Sequence, residues 1–279
     1  MKHLYIDGMN FLHRARSGWT AGPAPVVFNF MRSFRALVES FSPTRVFFVL
    51  EGRPKKRKEA FSEYKSNRIV EETSPDATEL AKFYKQVNEV VALLSETFPV
   101  NVVRHADHEC DDTIYNLIKR TPDWVECVVV SNDSDFTQLL NEFRNVSVWN
   151  PMKKSFVEQP DYDYVLWKSL RGDPSDNIPG IPGVGDVTAA HLASDHDKLT
   201  KFLSEGDDRL LLFERNYGLI SFEKWDDAAA IKLESSEPVD DGFAALRATF
   251  VKYGFKSLLS DAAWSKFVST FENLWPQTN

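Results

Sequence analysis

An α/β layer fold with a mainly parallel central sheet is the expectation for this 279-residue chain, and three observations predict it. Short apolar segments rich in β-branched and aromatic residues alternate with longer segments of helical periodicity. One of the short segments, Val46-Phe47-Phe48-Val49-Leu50, is apolar throughout, as in a strand covered on both faces. Acidic residues recur just past the ends of these segments, at the edge where such sheets bind ligands.

The elements follow in order. His3 to Ile6 is a short strand ending at Asp7-Gly8. Over residues 26–41, Val27, Phe30, Met31, Phe34, Leu37, Val38 and Phe41 recur at helical spacing with one buried face, and Ser42-Pro43 ends that helix. A strand from Arg45 to Leu50 runs into Glu51-Gly52. Residues 53–75 are polar and basic, and residues 77–97 return to helical periodicity through Leu80, Phe83, Val87, Val90 and Leu94. Further strands are expected at Val100 to Val103, Val125 to Ser131 and Val146 to Trp149.

Asp7, Glu51 and Asp133 each stand just past a strand, and Glu109 lies one short turn beyond another. Together with Asp111, Asp112 and Asp135 they bring a crowd of carboxylates to one sheet edge. Like charges at such density raise each other's pKa, and a hard divalent cation with oxygen ligands is the usual reason to tolerate them. Ile114 and Ile118 share a helix face with Asp111, which directs Asp111 toward the strand ends. Asp112 is turned from it by about 100°, and a role in the helix dipole is an equal alternative for it.

An apolar content of 43% and a charged content of 27% are those of an ordinary globular protein. No apolar run approaches the roughly 20 residues that span a bilayer, and the N-terminus lacks the layout of a signal peptide. Cys110 and Cys127 make neither a disulfide framework nor a metal-binding spacing, so a cytoplasmic protein with no membrane partner is expected. The net charge of −8 argues against a nucleic-acid partner until the charges are placed. Leaving out nine acids, the seven above with Asp173 and Asp176, moves the balance to +1.

The basic groups are concentrated between a core strand and a core helix, at Arg53, Lys55, Lys56, Arg57, Lys58, Lys65 and Arg68. Placed over the acids, such cations hold phosphates and offset charge developing on a cleaved phosphodiester; Tyr64 is placed to stack on a base. From Asp161 the pattern becomes helical, with a helix that stops at Gly172. Asp173 and Asp176 follow, then Gly183-Val184-Gly185 before a helix through Leu192. A tight turn at a helix N-terminus suits a phosphate.

Glu109-x-Asp111-Asp112, Asp133-x-Asp135, Glu63-Tyr64-Lys65-x-x-Arg68 and Gly172-Asp173-x-x-Asp176-Asn177-Ile178-Pro179-Gly180, in this order, resemble the motifs of the 5′-nuclease family. That family comprises phage flap endonucleases and 5′→3′ exonucleases and the N-terminal nuclease domain of bacterial DNA polymerase I. The resemblance implies a PIN-like α/β core over residues 1–160, with a helical arch at about 53–75. It implies a helical DNA-binding region over 161–279, with a helix-three-turn-helix at about 173–192. Asp7, Glu51, Glu109 and Asp111 would hold a first Mg2+, and Asp133, Asp135, Asp173 and Asp176 a second, Mn2+ serving in place of Mg2+. Asp112 joins the ligand candidates. Lys65, Arg68 and Arg14 match catalytic basic residues, and a K+ site is implied at the helix-three-turn-helix.

The expected activity is hydrolysis of DNA by metal-activated water at 5′ flaps, 5′ ends or single-strand/duplex junctions, RNA primers included, by a monomer in replication or repair. A standalone protein of this size implies a phage source and the host cytoplasm. Two positions depart from the family pattern: residue 51 is Glu rather than Asp, and Asp186-Val187 replaces a basic pair. The competing readings are a PIN-like ribonuclease and a DNA-binding module with a decayed site. His105 and His108 are read as packing or surface residues, and Cys110 as packed behind the ligands.

Overall fold

The computed structural model describes residues 1–17, 22–68, 75–225, 231–233, 242–272 and 274. A seven-stranded sheet forms its centre. Five strands are parallel: β1 (Lys2–Asp7), β2 (Arg45–Leu50), β3 (Asn101–His105), β4 (Glu126–Val130) and β5 (Val146–Asn150). They stand in the order β5-β4-β1-β2-β3, so every carboxyl end lies on one edge, as the alternation of elements requires. The outer strands are antiparallel and were not expected. β6 (Ser155–Phe156) returns along β5, and β9 (Ile231–Leu233) pairs with β3 from an acid-rich stretch that carries no strand pattern.

Between β1 and β2 run α1 (Gly8–Ser17) and α2 (Pro25–Phe41). The short α3 (Lys55–Ala60) and the long α4 (Pro75–Thr97) connect β2 to β3. α5 (Cys110–Lys119) follows β3, and α6 (Gln138–Glu142) follows β4. Side chains alternate across the sheet with a period of two. Leu4, Ile6, Phe48 and Val128 pack on one face with α2 and α4, while Tyr5, Val49, Val129 and Val148 pack on the other with α5.

After the sheet come α7 (Tyr164–Arg171), a two-residue hairpin of β7 (Gly172–Asp173) and β8 (Ile178–Pro179), then α8 (Asp186–Ala193), α9 (His196–Ser204) and α10 (Asp207–Ile220). Asp163 caps α7 by accepting Leu166 N–H at 2.9 Å, which fixes where that helix begins. Asn216 on α10 donates to the carbonyls of Ser169 and Pro179 at 3.0 and 2.9 Å, tying α10 to the hairpin. Finally α11 (Gly242–Lys252), α12 (Lys256–Leu259) and α13 (Asp261–Glu272) close the first face, where Phe250, Phe267 and Phe271 join Phe34 and Phe98.

The expected α/β core and the closing helices are both present, and the expected bounds of the first five strands lie within two residues of those observed. Residues 69–74, the far part of the expected arch, lie outside the described residues. No helix among the described residues is long and apolar enough to cross a membrane.

Candidate metal centre and nucleic-acid interface

β1, β2 and β4 end side by side, and each delivers an acid to the same cleft. Asp7, Glu51, Glu109, Asp111 and Asp133 line a cavity of about 710 Å3 with Asn10, His13, Lys65 and Arg68. Asp7 is held by Asn10 N–H at 3.1 Å and by Ser131 Oγ–H at 2.8 Å. Burial pushes its carboxyl up to about 6, with Asp133 adding repulsion. Glu51 accepts Cys110 N–H at 3.3 Å; burial, then Glu109, pushes it up to about 8. Asp111 is raised well above the usual range by burial and by its neighbours Asp112 and Glu109.

Gly52 makes the cleft possible. A Cβ there would sit 1.9 Å from His105 O and 2.3 Å from His108 O, so the loop carrying Glu109 crosses directly over the chain behind Glu51. Cys110 packs behind the site, its thiol 3.3 Å from Val49 O. His108 stacks on Trp225 with ring centroids 4.1 Å apart, a packing role as expected for it.

A second set of acids lies beside the first. Oxygens of Asp135, Asp173 and Asp176 fall within 4.8 Å of one another, in a 240 Å3 pocket that shares Asp133 and Arg68 with the larger cleft. Asp133 closes the turn between the sets by accepting Asp135 N–H at 3.0 Å. Gly172 has φ +79°, and a Cβ on it would lie 2.3 Å from Gly180 N; this close crossing sets Asp173 against the pocket. Eight of the nine expected ligands therefore line two adjoining pockets, and the all-oxygen donor set suits a hard divalent cation.

Asp112 is the exception. It is fully buried and faces the loop after α10, because it stands about 100° round the helix from Asp111. Arg57 donates to both its oxygens at 2.6 and 2.8 Å, and Glu223 N–H at 2.8 Å. Its lone pairs serve an internal ion pair, while one of its oxygens also lies within 4.8 Å of oxygens of Glu109 and Asp111. Arg57, 3% exposed, also donates to Glu109 Oε2 at 2.7 Å and to the carbonyls of Leu219 and Ser221. Nothing in the run Lys55-Lys56-Arg57-Lys58 singles this residue out.

Tyr64 also differs from expectation. It is 3% exposed, with its hydroxyl 2.8 Å from Glu109 Oε2 and 3.3 Å from Asp176 Oδ2, so no base can stack on its ring. Lys65, at φ +56°, donates its backbone N–H to Asp176 O at 3.0 Å and sets its ammonium on Glu109 Oε1. Arg68 pairs with Asp176 Oδ1. Burial alone would raise Glu109, but Lys65 and Arg57 outweigh it and hold the carboxyl below the usual range.

The remaining basic candidates lie elsewhere. Arg53, Lys55 and Lys56 are exposed and do not line the acid cleft; Lys56 pairs with Glu223 at 3.4 Å. Arg14 lies toward the far end of α1 and lines a groove with Arg32, Trp149 and Lys154. Gly183 and Gly185 are exposed in a turn leading to α8, with Gly183 at φ +81° and Val184 N–H bonded to Ile181 O at 3.1 Å. Asp186 stands in the first turn of α8 and is paired with Arg171. Lys168, not singled out in the sequence, reaches Asp135 and Asp173 from α7. Its spacing of four from Tyr164, on the face toward those acids, is the signal that would have found it.

Residues 2–166 match the profile described as "5'-3' exonuclease, N-terminal resolvase-like domain", more than half of the chain. The chain belongs to the 5′-3′ exonuclease family. A 5′-3′ exonuclease of Streptomyces coelicolor is 30% identical over 189 residues, 62% of each chain. The DNA polymerase I of a Synechocystis species is 32% identical over 228 residues, 71% of this chain and 22% of that one. The chain thus spans less than two thirds of the length of these relatives. Among solved structures, the bacteriophage T5 flap endonuclease crystallised with DNA and metal ions superposes with a TM-score of 0.64 at 18% identity, over 98% of this chain and 99% of that one; this likeness concerns the fold.

Proposed function

We propose that this chain hydrolyses DNA phosphodiester bonds at 5′ ends, 5′ flaps and single-strand/duplex junctions, RNA primers included, acting as a monomer. The observation that carries the reading is the meeting of two charge types in one cleft. Asp7, Glu51, Asp111 and Asp133 are in no ion pair among the described residues, while Lys65 and Arg68 line the same cleft. Uncompensated oxygens call for a cation, and the cations beside them suit a phosphate.

On this reading Asp7, Glu51, Glu109 and Asp111 hold one Mg2+, and Asp133, Asp135, Asp173 and Asp176 the other, with Mn2+ able to replace it. Bound there, such ions supply Lewis-acid activation of water and stabilisation of the leaving oxygen. The chain's own groups prepare the site. Ser131 and Asn10 N–H fix the Asp7 carboxylate, and Tyr64 and Arg57 fix that of Glu109. Lys65 and Arg68 would take up a phosphate oxygen once displaced from their acids. The region from residue 161 would bind duplex backbone through the exposed Gly183-Val184-Gly185 turn at the start of α8, with a K+ there.

A 5′-labelled flap substrate incubated with Mg2+, and in parallel with EDTA, tests this. Cleavage near the junction with Mg2+ and none with EDTA is expected. No cleavage with Mg2+ or Mn2+ would leave a binding module. Preferential cleavage of single-stranded RNA would instead favour a PIN-like ribonuclease.

A further inference from the structure

The two acid sets differ in their counter-charges. In the first set only Glu109 is paired, with Arg57 and Lys65, while Asp7, Glu51 and Asp111 form no ion pair among the described residues. In the second set Asp135, Asp173 and Asp176 are all matched already, and of its four acids Asp133 alone forms no ion pair among the described residues. Lys168 Nζ bridges Asp135 Oδ1 and Asp173 Oδ2, 2.7 Å from the latter, and Arg68 and Lys65 take Asp176.

Lys168 is no surface residue that has folded inward. Its side chain is 7% exposed, it rises from α7 one turn after Tyr164, and the Tyr164 hydroxyl donates to the same Asp135 Oδ1 at 3.2 Å. The other oxygen of Asp173 is held by Ser175, through its N–H at 2.8 Å and its hydroxyl at 2.6 Å. Asp173 Oδ2 therefore faces the ammonium, between two carboxylates whose oxygens lie close enough to share one cation.

The geometry points to Lys168 as a built-in cation in the second metal position, so that a divalent ion enters there only by displacing its ammonium from Asp135 and Asp173. This rests on the proposed reading of the cleft as a divalent-ion site. The DNA-free protein then binds one ion well, at Asp7, Glu51, Glu109 and Asp111. The second binds weakly, because the ion must break two charge-assisted hydrogen bonds and leave a buried ammonium nearby. Lys168 would set the ion concentration at which the site becomes complete.

Calorimetric titration of the DNA-free full chain with Mn2+ tests this in three forms: wild type, Lys168→Met and Lys168→Arg. The wild type should show one strong site and a weak second. Lys168→Met should tighten the second by about tenfold or more, since a like charge within a few Å is removed, and Lys168→Arg should match the wild type. Superimposable isotherms for wild type and Lys168→Met would overturn the inference. Should Lys168→Met fail to fold, the wild type still decides: the NMR signal of the Lys168 Cε methylene should shift only with Mg2+ beyond that filling the first site. An unmoved signal at saturation would equally overturn it. If the wild type binds no divalent ion at all, the metal reading itself fails, an outcome distinct from the others.

Discussion

Arg57 donates to both oxygens of Asp112, at 2.6 and 2.8 Å, in a space closed to solvent. The same guanidinium reaches Glu109, the Leu219 carbonyl in the last turn of α10 and the Ser221 carbonyl just after it, joining three distant parts of the chain. Breaking a buried pair from one side leaves an uncompensated charge, which costs about 3–5 kcal/mol. Arg57→Met should lose that much in urea denaturation. Arg57→Lys should recover little, because one ammonium cannot reproduce a planar bidentate contact. The double variant Arg57→Met/Asp112→Asn should be more stable than Arg57→Met alone; an additive loss would show that the pair is not coupled.

Tyr64 offers a sharp choice between two roles. A ring that stacks on a base tolerates Phe, whereas a hydroxyl buried against Glu109 and Asp176 does not. Tyr64→Phe should cost about 1–2 kcal/mol of stability and lower turnover, with affinity for single-stranded DNA unchanged. Wild-type stability and turnover would return the residue to the stacking role.

The raised carboxyls give the site a pH signature. With Asp7 near 6 and Glu51 near 8, the folded protein keeps protons that the unfolded chain has already lost. These two groups therefore stabilise the fold fully below the ordinary carboxylate range, and that contribution is lost as pH rises through 6 and then 8. A divalent ion takes the place of those protons, so its stabilising effect grows over the same interval. Thermal midpoints in Mg2+ and in EDTA should differ more at about pH 8.5 than at about pH 5.5; equal differences would contradict the assignment.

Much of this was legible in the chain itself, and the reason is periodicity. Arg45–Leu50 is apolar enough to admit only a strand covered on both faces, and it forms one with the expected bounds. The acids past β1, β2 and β4 could be placed on one edge because parallel strands all end there. What could not be read was direction within a turn. Asp111 and Asp112 are adjacent, yet one opens to the cleft and the other to Arg57, a partner fifty-five residues away in sequence from Asp112. Tyr64 reads as a surface aromatic amid charged neighbours until the acids it satisfies are in place. β9 carries no strand pattern of its own and exists because β3 offers an unpaired edge.

The central claim is that Asp111 serves a cation and not the fold. Asp111→Asn keeps the shape of the side chain while removing its charge, and it is best measured by single-turnover cleavage of a prebound 5′-flap substrate started with Mg2+. The cleavage rate should fall by about two orders of magnitude or more, as the loss of a few kcal/mol of charge stabilisation dictates, with the thermal midpoint in EDTA no lower than that of the wild type. A rate within about twofold of wild type, less than ~0.5 kcal/mol in barrier, would contradict the account.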